Sequence, residues 1–162
     1  MFRIWLSIGS NVERERNIRG ALQVLQERFG ELILSKVYES EAVGFDGEPF
    51  YNLVVGLKTR LSAGELMTAL RRIEAAHGRQ RGDERFAPRT LDIDILTYGD
   101  RVMNYQGQEL PRDEITRYAF VLLPLSEVAG NEIHPLTGMS YSQLWDEFDT
   151  TDQSLWPVNF EL

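Results

Sequence analysis

Apolar residues along the chain switch between a period of two and a period near 3.6, and the switches predict the elements. Phe2, Ile4, Leu6 and Ile8 share one parity, which predicts a strand over 2–8. Gly9-Ser10-Asn11 is expected to end it, with Ser10 or Asn11 capping the helix that follows. From Val12 to Phe29 the spacing lengthens to Ile18, Leu22 and Leu25, the stripe of a helix that Gly30 closes. Leu32–Glu39 alternates again and predicts a second strand. Ser40–Pro49, with two glycines and a proline, reads as a loop. Phe50–Leu61 is the strongest strand, with Leu53, Val55 and Leu57 opposing Val54 and Lys58. Ser62 then caps a helix to about His77, with Glu65 at the capping-box position and Leu66, Leu70 and Ile73 as its buried stripe.

Leu91–Tyr98 is the fourth strand, and Val102–Tyr105 adds a short edge strand. Arg112–Arg117 reads as a loop or helical turn, Ala119–Leu125 leads into a short helix over Pro124–Ala129, and Ser140–Trp145 reads as a last helix. Residues 146–162 carry five acids and no bases, an acidic tail whose Trp156 and Phe160 either dock or stay peripheral. The order strand-helix-strand-strand-helix-strand matches a ferredoxin-like βαββαβ sandwich of the α+β class. It predicts an antiparallel sheet with two helices on one face, leaving the other face for ligands and mobile catalytic loops.

Composition sets the outer limits. At 162 residues with 43% hydrophobic positions, the chain suits one domain spanning 1–162. No apolar run approaches the roughly 20 residues of a membrane span, and the alternating start does not resemble a signal peptide. Zero cysteines exclude disulfides, thiolate chemistry and Zn–Cys sites. A cytoplasmic monomer is the expectation. The net charge of −8 argues against a general nucleic-acid binder. That average hides an asymmetry, because residues 71–89 hold six arginines against three acids, a net of +3 that leaves −11 elsewhere.

The asymmetry singles out Arg79–Asp94. Arginines 79, 81, 85 and 89 crowd a segment containing Gly82 and Pro88, which runs directly into Leu91-Asp92-Ile93-Asp94-Ile95. Guanidinium forks grip phosphate oxygens bidentately. On a strand, Leu91, Ile93 and Ile95 can pack beneath the sheet while Asp92 and Asp94 point together to the other side. Two such carboxylates repel unless a cation lies between them, and Mg²⁺ accepts oxygen ligands while keeping substrate phosphates in its shell. A plain alternative is a solvated arginine run beside a solvated Asp-x-Asp pair. Both lysines, Lys36 and Lys58, lie outside any Gly-x-x-x-x-Gly-Lys-Ser/Thr loop, so a P-loop enzyme is excluded.

Read as a composite, Gly78-Arg79-x-Arg81-x-x-x-Arg85-Phe86-x-Pro88-Arg89-x-Leu91-Asp92-x-Asp94-Ile95 resembles the signature of the 6-hydroxymethyl-7,8-dihydropterin pyrophosphokinase family. Ser7-Ile8-Gly9-Ser10-Asn11, Phe50-Tyr51-Asn52, Phe120–Leu125 and His134-Pro135-x-x-Gly138 support it, so the likeness covers about residues 2–145. The resemblance implies transfer of pyrophosphate from ATP to the pterin alcohol in folate biosynthesis, with attack on the β-phosphorus and AMP leaving. It implies two Mg²⁺ held by Asp92 and Asp94. Arg79 and Arg89 join that pair as catalytic residues. Glu74, Arg79, Arg81, Arg85, Arg89, Ile95 and Arg112 are implied for the nucleotide. Ser40, Ala42, Val43, Phe50, Asn52, Asp92 and Phe120 are implied for the pterin, with Phe50 and Phe120 stacking on its two faces. The partners it implies are these two small molecules, with no nucleic acid and no membrane.

The chain departs from the family pattern at several points. Ser40-Glu41-Ala42 replaces a frequent Thr-Pro-Pro, and Phe86 replaces a tryptophan. Arg112-Asp113 replaces a His-Tyr pair that contacts phosphates, and Tyr118 stands where an arginine is frequent, with Arg117 adjacent. Arg112 preserves a positive contact, whereas Asp113 repels a triphosphate unless it points away. These changes keep a second reading open, a divergent pterin-binding paralogue with weak or altered transfer. A different Asp-x-Asp metal transferase or a non-catalytic partner module is the third.

Overall fold

A six-stranded antiparallel sheet carries the molecule. In the computed structural model, which describes residues 1–41, 48–78 and 91–160, the central strands are β1 (Phe2–Ser10), β4 (Phe50–Thr59) and β5 (Asp92–Tyr98). β1 lies between β5 and β4, and β3 (Tyr38–Ser40) and β8 (Leu155–Pro157) extend the sheet beyond β4. β2 (Ile33–Leu34) also pairs with β4. A separate hairpin joins β6 (Met103–Tyr105) to β7 (Gln108–Leu110). The expected α+β, ferredoxin-like class is borne out.

Alternation divides the sheet into two faces. Ile4, Leu6 and Ile8, Leu53, Val55 and Leu57, and Ile93 and Ile95 all join one buried cluster. They meet the apolar stripes of α1 (Arg14–Phe29) and α2 (Ala63–Ala76). In α1 the stripe is Ile18, Ala21, Leu22 and Leu25, and in α2 it is Leu66, Ala69, Leu70 and Ile73. Ser62 and Glu65 make the expected capping box, the Ser62 hydroxyl accepting from Glu65 N at 3.2 Å and the Glu65 carboxylate from Ser62 N at 3.0 Å. A cap of this kind is worth about 1 kcal/mol.

Four expectations need correction. β1 continues through Gly9 to Ser10, pairing Gly9 with Asn52. Neither Ser10 nor Asn11 caps α1. Ser10 Oγ donates to Val12 O, Asn11 Nδ2 donates to Glu48 O, and Glu13 occupies the cap position in a left-handed conformation with φ 40°. The second strand is two pieces, because the Ser35 hydroxyl takes the Val54 N–H at 2.9 Å and three residues of the chain oppose two of β4. The second sheet face is not left wholly to ligands. Trp5, Val54 and Leu96 pack there beneath α4 (Ala119–Ala129), which contains Pro124, with α3 (Glu114–Arg117) and α5 (Tyr141–Asp146) alongside.

The acidic tail docks. Beyond Asp149 it turns back to place β8 against β3, and Phe160 meets Tyr51 edge-on at 5.8 Å. Among the described residues no helix is long and apolar enough to cross a membrane.

Candidate active site

Where α4 stops covering the second sheet face, a cleft of about 550 Å³ opens. That volume suits a small-molecule site. Ser7 and Gly9 of β1, Ser40 of β3, Phe50 and Asn52 of β4, and Asp92 and Asp94 of β5 form its floor. Gly107 to Glu109, Arg112 to Glu114, Arg117, Tyr118 and Phe120 supply the rim.

Strand register brings these groups together. Gly9 faces Asn52 on one side and Asp92 on the other, and Ser7 likewise faces Asp94. Asn52 leans over Gly9, where an added Cβ would lie 2.6 Å from Asn52 Oδ1. Its Nδ2 donates to Ser40 Oγ at 3.3 Å. Gly9 therefore lines the site, although in the sequence it does no more than end a strand and match a family motif. The amide of Asn52 is 5% exposed and supplies both a donor and an acceptor to a flat heterocycle. Phe50 and Phe120 are half-buried rings on the same cleft, Phe120 stacking on Tyr118 at 5.1 Å and 19°.

The carboxylates of Asp92 and Asp94 share the cleft face, and Asp94 is 8% exposed. Arg112 is fixed beside them. Its backbone N donates to Leu96 O at 2.9 Å, and its guanidinium contacts Gln108 at 2.8 Å and Glu114 at 2.5 Å. Burial opposes its charge, but Asp94, Glu114 and Asp92 together raise its proton affinity, so it is a permanent cation facing both aspartates. Asp113 turns to Arg117 at 3.1 Å, where the two exposed side chains pair across a helical turn. Its negative charge thus meets a cation of its own before reaching a triphosphate.

Beneath β5 the sequence missed a second arginine. Among the described residues β5 is an edge strand, and α2 satisfies both outward backbone groups of its Ile93. Glu74 accepts from Ile93 N at 2.7 Å, while Arg71 donates to Ile93 O at 3.1 Å. Arg71 also pairs with Glu74 at 3.1 Å and reaches Asp94 Oδ1 at 3.9 Å. Glu74, expected at the nucleotide, is 1% exposed and stands here as a brace on β5. The Ile95 side chain, also expected at the nucleotide, packs into the α1–α2 core and does not enter the cleft. Arg79, Arg81, Arg85, Arg89, Ala42 and Val43 lie outside the described residues.

The donor chemistry fits Mg²⁺. Two hard carboxylate oxygens on one strand face, with room for phosphates beside them, match its preference for few protein ligands. Among the described residues no cluster of three His, Cys, Asp or Glu forms a closed metal cage.

A profile of the 7,8-dihydro-6-hydroxymethylpterin-pyrophosphokinase family matches residues 5–130. The chain belongs to that family. It is 37% identical over 140 residues to the 2-amino-4-hydroxy-6-hydroxymethyldihydropteridine pyrophosphokinase of Aquifex aeolicus, covering 84% of this chain and 86% of that one. The Synechocystis enzyme of the same name is 36% identical, with 88% and 76% covered. The folic acid synthesis protein fol1 of Pneumocystis carinii is 30% identical, and the match covers 96% of this chain but 21% of that longer protein. Among solved structures, the Plasmodium falciparum HPPK-DHPS protein superimposes with a TM-score of 0.72 at 14% identity. That match covers 91% of this chain and 43% of the other, and shows the same fold.

Proposed function

We propose that this pyrophosphokinase-family chain transfers the β,γ-diphosphate of ATP to the hydroxymethyl oxygen of 6-hydroxymethyl-7,8-dihydropterin, a step of folate biosynthesis. The pterin oxygen bonds to the β-phosphorus, the bond from that phosphorus to the oxygen shared with the α-phosphate breaks, and AMP leaves. The hydroxyl proton passes to solvent or to a neighbouring base.

The observation that carries the reading is the register Asn52–Gly9–Asp92 across three strands. It sets an amide suited to a pterin edge two strands away from a carboxylate suited to a phosphate-bound metal, with Gly9 of β1 between them. Asn52 and Ser40 orient the pterin, and Phe50 and Phe120 offer ring faces on which it stacks. Asp92 and Asp94 hold two Mg²⁺, which neutralise phosphate charge when bound. Arg112 adds a fixed cation on the phosphate side, and Arg79, Arg81, Arg85 and Arg89 supply the remaining phosphate contacts. Arg71 and Glu74 keep β5 in place beneath the metal-binding pair. Cytoplasmic residence and a monomeric state belong to the same reading.

Incubation with ATP, Mg²⁺ and 6-hydroxymethyl-7,8-dihydropterin tests it. Chromatography is expected to show AMP in equal amount to the pterin diphosphate. ADP as the nucleotide product, or no product at high protein concentration, favours instead the divergent pterin-binding paralogue.

A further inference from the structure

The C-terminal segment lies beyond residue 130, where the match to the family profile ends, and bonds to the backbone beside two cleft residues, Ser40 and Phe120. α4 begins at Ala119, and Tyr118 at its cap position makes no side-chain cap. The first N–H groups of a helix have no partner within it. Here the Ala119 N–H is taken by Gln153 Oε1 at 2.8 Å. The other end of the same amide donates from Nε2 to Arg117 O at 3.0 Å. One planar side chain therefore grips the backbone on both sides of Tyr118, and the next residue along is Phe120 on the cleft.

Gln153 is itself held. Its N–H donates to Thr150 O at 3.1 Å, in a turn that Asp149 starts by accepting from Thr151 N at 2.9 Å. Two residues later β8 pairs with β3, matching Leu155 to Ser40. Val158 N donates to Val37 O at 3.0 Å beyond that ladder. The tail thus joins the strand that brings Ser40 to one wall of the cleft with the helix start that brings Phe120 to the other.

We propose that Gln153 is a positioning residue for Phe120, through which the C-terminal strand sets the pterin-stacking wall of the cleft. This rests on the reading of Phe120 as a pterin contact. Loss of the amide leaves a helix-terminal N–H and a carbonyl to find water, and frees the start of α4 to shift by the small distances that ring stacking does not tolerate.

The experiment compares wild type, Gln153→Met, Gln153→Glu and Phe120→Ala as full chains in steady-state kinetics with ATP, Mg²⁺ and the pterin. Gln153→Met is expected to raise the pterin KM roughly five- to thirtyfold, the range for one or two lost hydrogen bonds. Its KM for MgATP and its kcat are expected to stay within about twofold, a split that a general loss of folded protein does not produce. Gln153→Glu keeps the acceptor for Ala119 N–H at the positive end of α4 but turns a carboxylate oxygen toward Arg117 O in place of the Nε2 donor, so it is expected to recover only part of the pterin KM. An unchanged pterin KM in Gln153→Met, or equal changes for both substrates, overturns the positioning role. Failure of the underlying reading shows differently, as an unchanged pterin KM in Phe120→Ala. An impaired Phe120→Ala beside an unimpaired Gln153→Met overturns the positioning role alone.

Discussion

One face of the sheet is built two ways along the same three strands. At one end Trp5, Val54 and Leu96 point up beneath α4 and are sealed. At the other, one or two steps along each strand, Ser7 and Gly9, Asn52, and Asp92 and Asp94 point up into an open cleft. Both ends use the same packing device. Trp5 lies over Gly56 of the neighbouring strand, where a Cβ would fall 2.4 Å from its ring, and Asn52 lies over Gly9 with a corresponding gap of 2.6 Å. In the sealed half the large group is an indole whose N–H donates to Glu132 at 3.0 Å. In the open half it is an amide with hydrogen-bonding capacity left for a ligand. Strand alternation chooses the face, and the helix laid across the face chooses which end becomes a site.

The largest effect is expected at the polar end. Asp94→Ala is expected to lower turnover by about a thousandfold or more, because in the proposed function Asp94 holds Mg²⁺ where phosphate charge develops. Pterin binding, followed by calorimetry, is expected to persist. Wild-type turnover in that variant removes the metal assignment.

The α1–α2 face gives the opposite signature. Leu25 is 0% exposed within that core. Leu25→Ala is expected to cost about 2–5 kcal/mol of unfolding free energy in denaturant titration, with kcat per folded molecule unchanged. Gly9→Ala tests the glycine device in the open half. The added methyl group displaces the Asn52 amide, and the pterin KM is expected to rise roughly tenfold or more, the scale for a lost buried hydrogen-bonding group. Melting temperature is expected to move less than for Leu25→Ala.

The smallest expected effect lies on the sealed half. Burial lowers the proton affinity of His134 from its ordinary value of 6.5, outweighing an opposing backbone hydrogen bond. Its Nδ1 accepts the N–H groups of Leu136 and Thr137, which requires that nitrogen to be unprotonated. Between the two values the unfolded chain binds more protons than the folded one, so stability rises with pH there. The contribution is full above 6.5 and fades as pH falls through the lower folded value. Melting measured at pH 7.5 and 5 is expected to show a smaller acid loss for His134→Asn than for wild type. Equal losses contradict the assignment.

Much of this was legible in the residues. The alternation of Leu91, Ile93 and Ile95 against Asp92 and Asp94 placed both carboxylates on one face without reference to partners, because strand parity is local. The capping box at Ser62 and the stripe of α2 were legible for the same reason. What escaped depends on distant parts of the chain. The break between β2 and β3 follows from a hydroxyl of Ser35 entering the ladder of β4. The brace of Arg71 and Glu74 exists because β5 is an edge strand, which no pattern within 71–74 reveals. Gly9 reads as a breaker until Asn52 is seen across from it. Whether the acidic tail docks stays open in the sequence, because its strand pairs through backbone groups and leaves Trp156 exposed at 39%.

The central claim is that the polar end of the sheet holds a metal-bound triphosphate against a pterin and passes on two phosphates together. Phosphorus NMR of a running reaction tests this most directly, with Mg²⁺ present and then chelated. The β and γ signals of ATP are expected to move together onto the pterin as AMP appears, and the reaction is expected to stop on chelation. Transfer of the γ-phosphate alone, or a rate that survives removal of the metal, contradicts it.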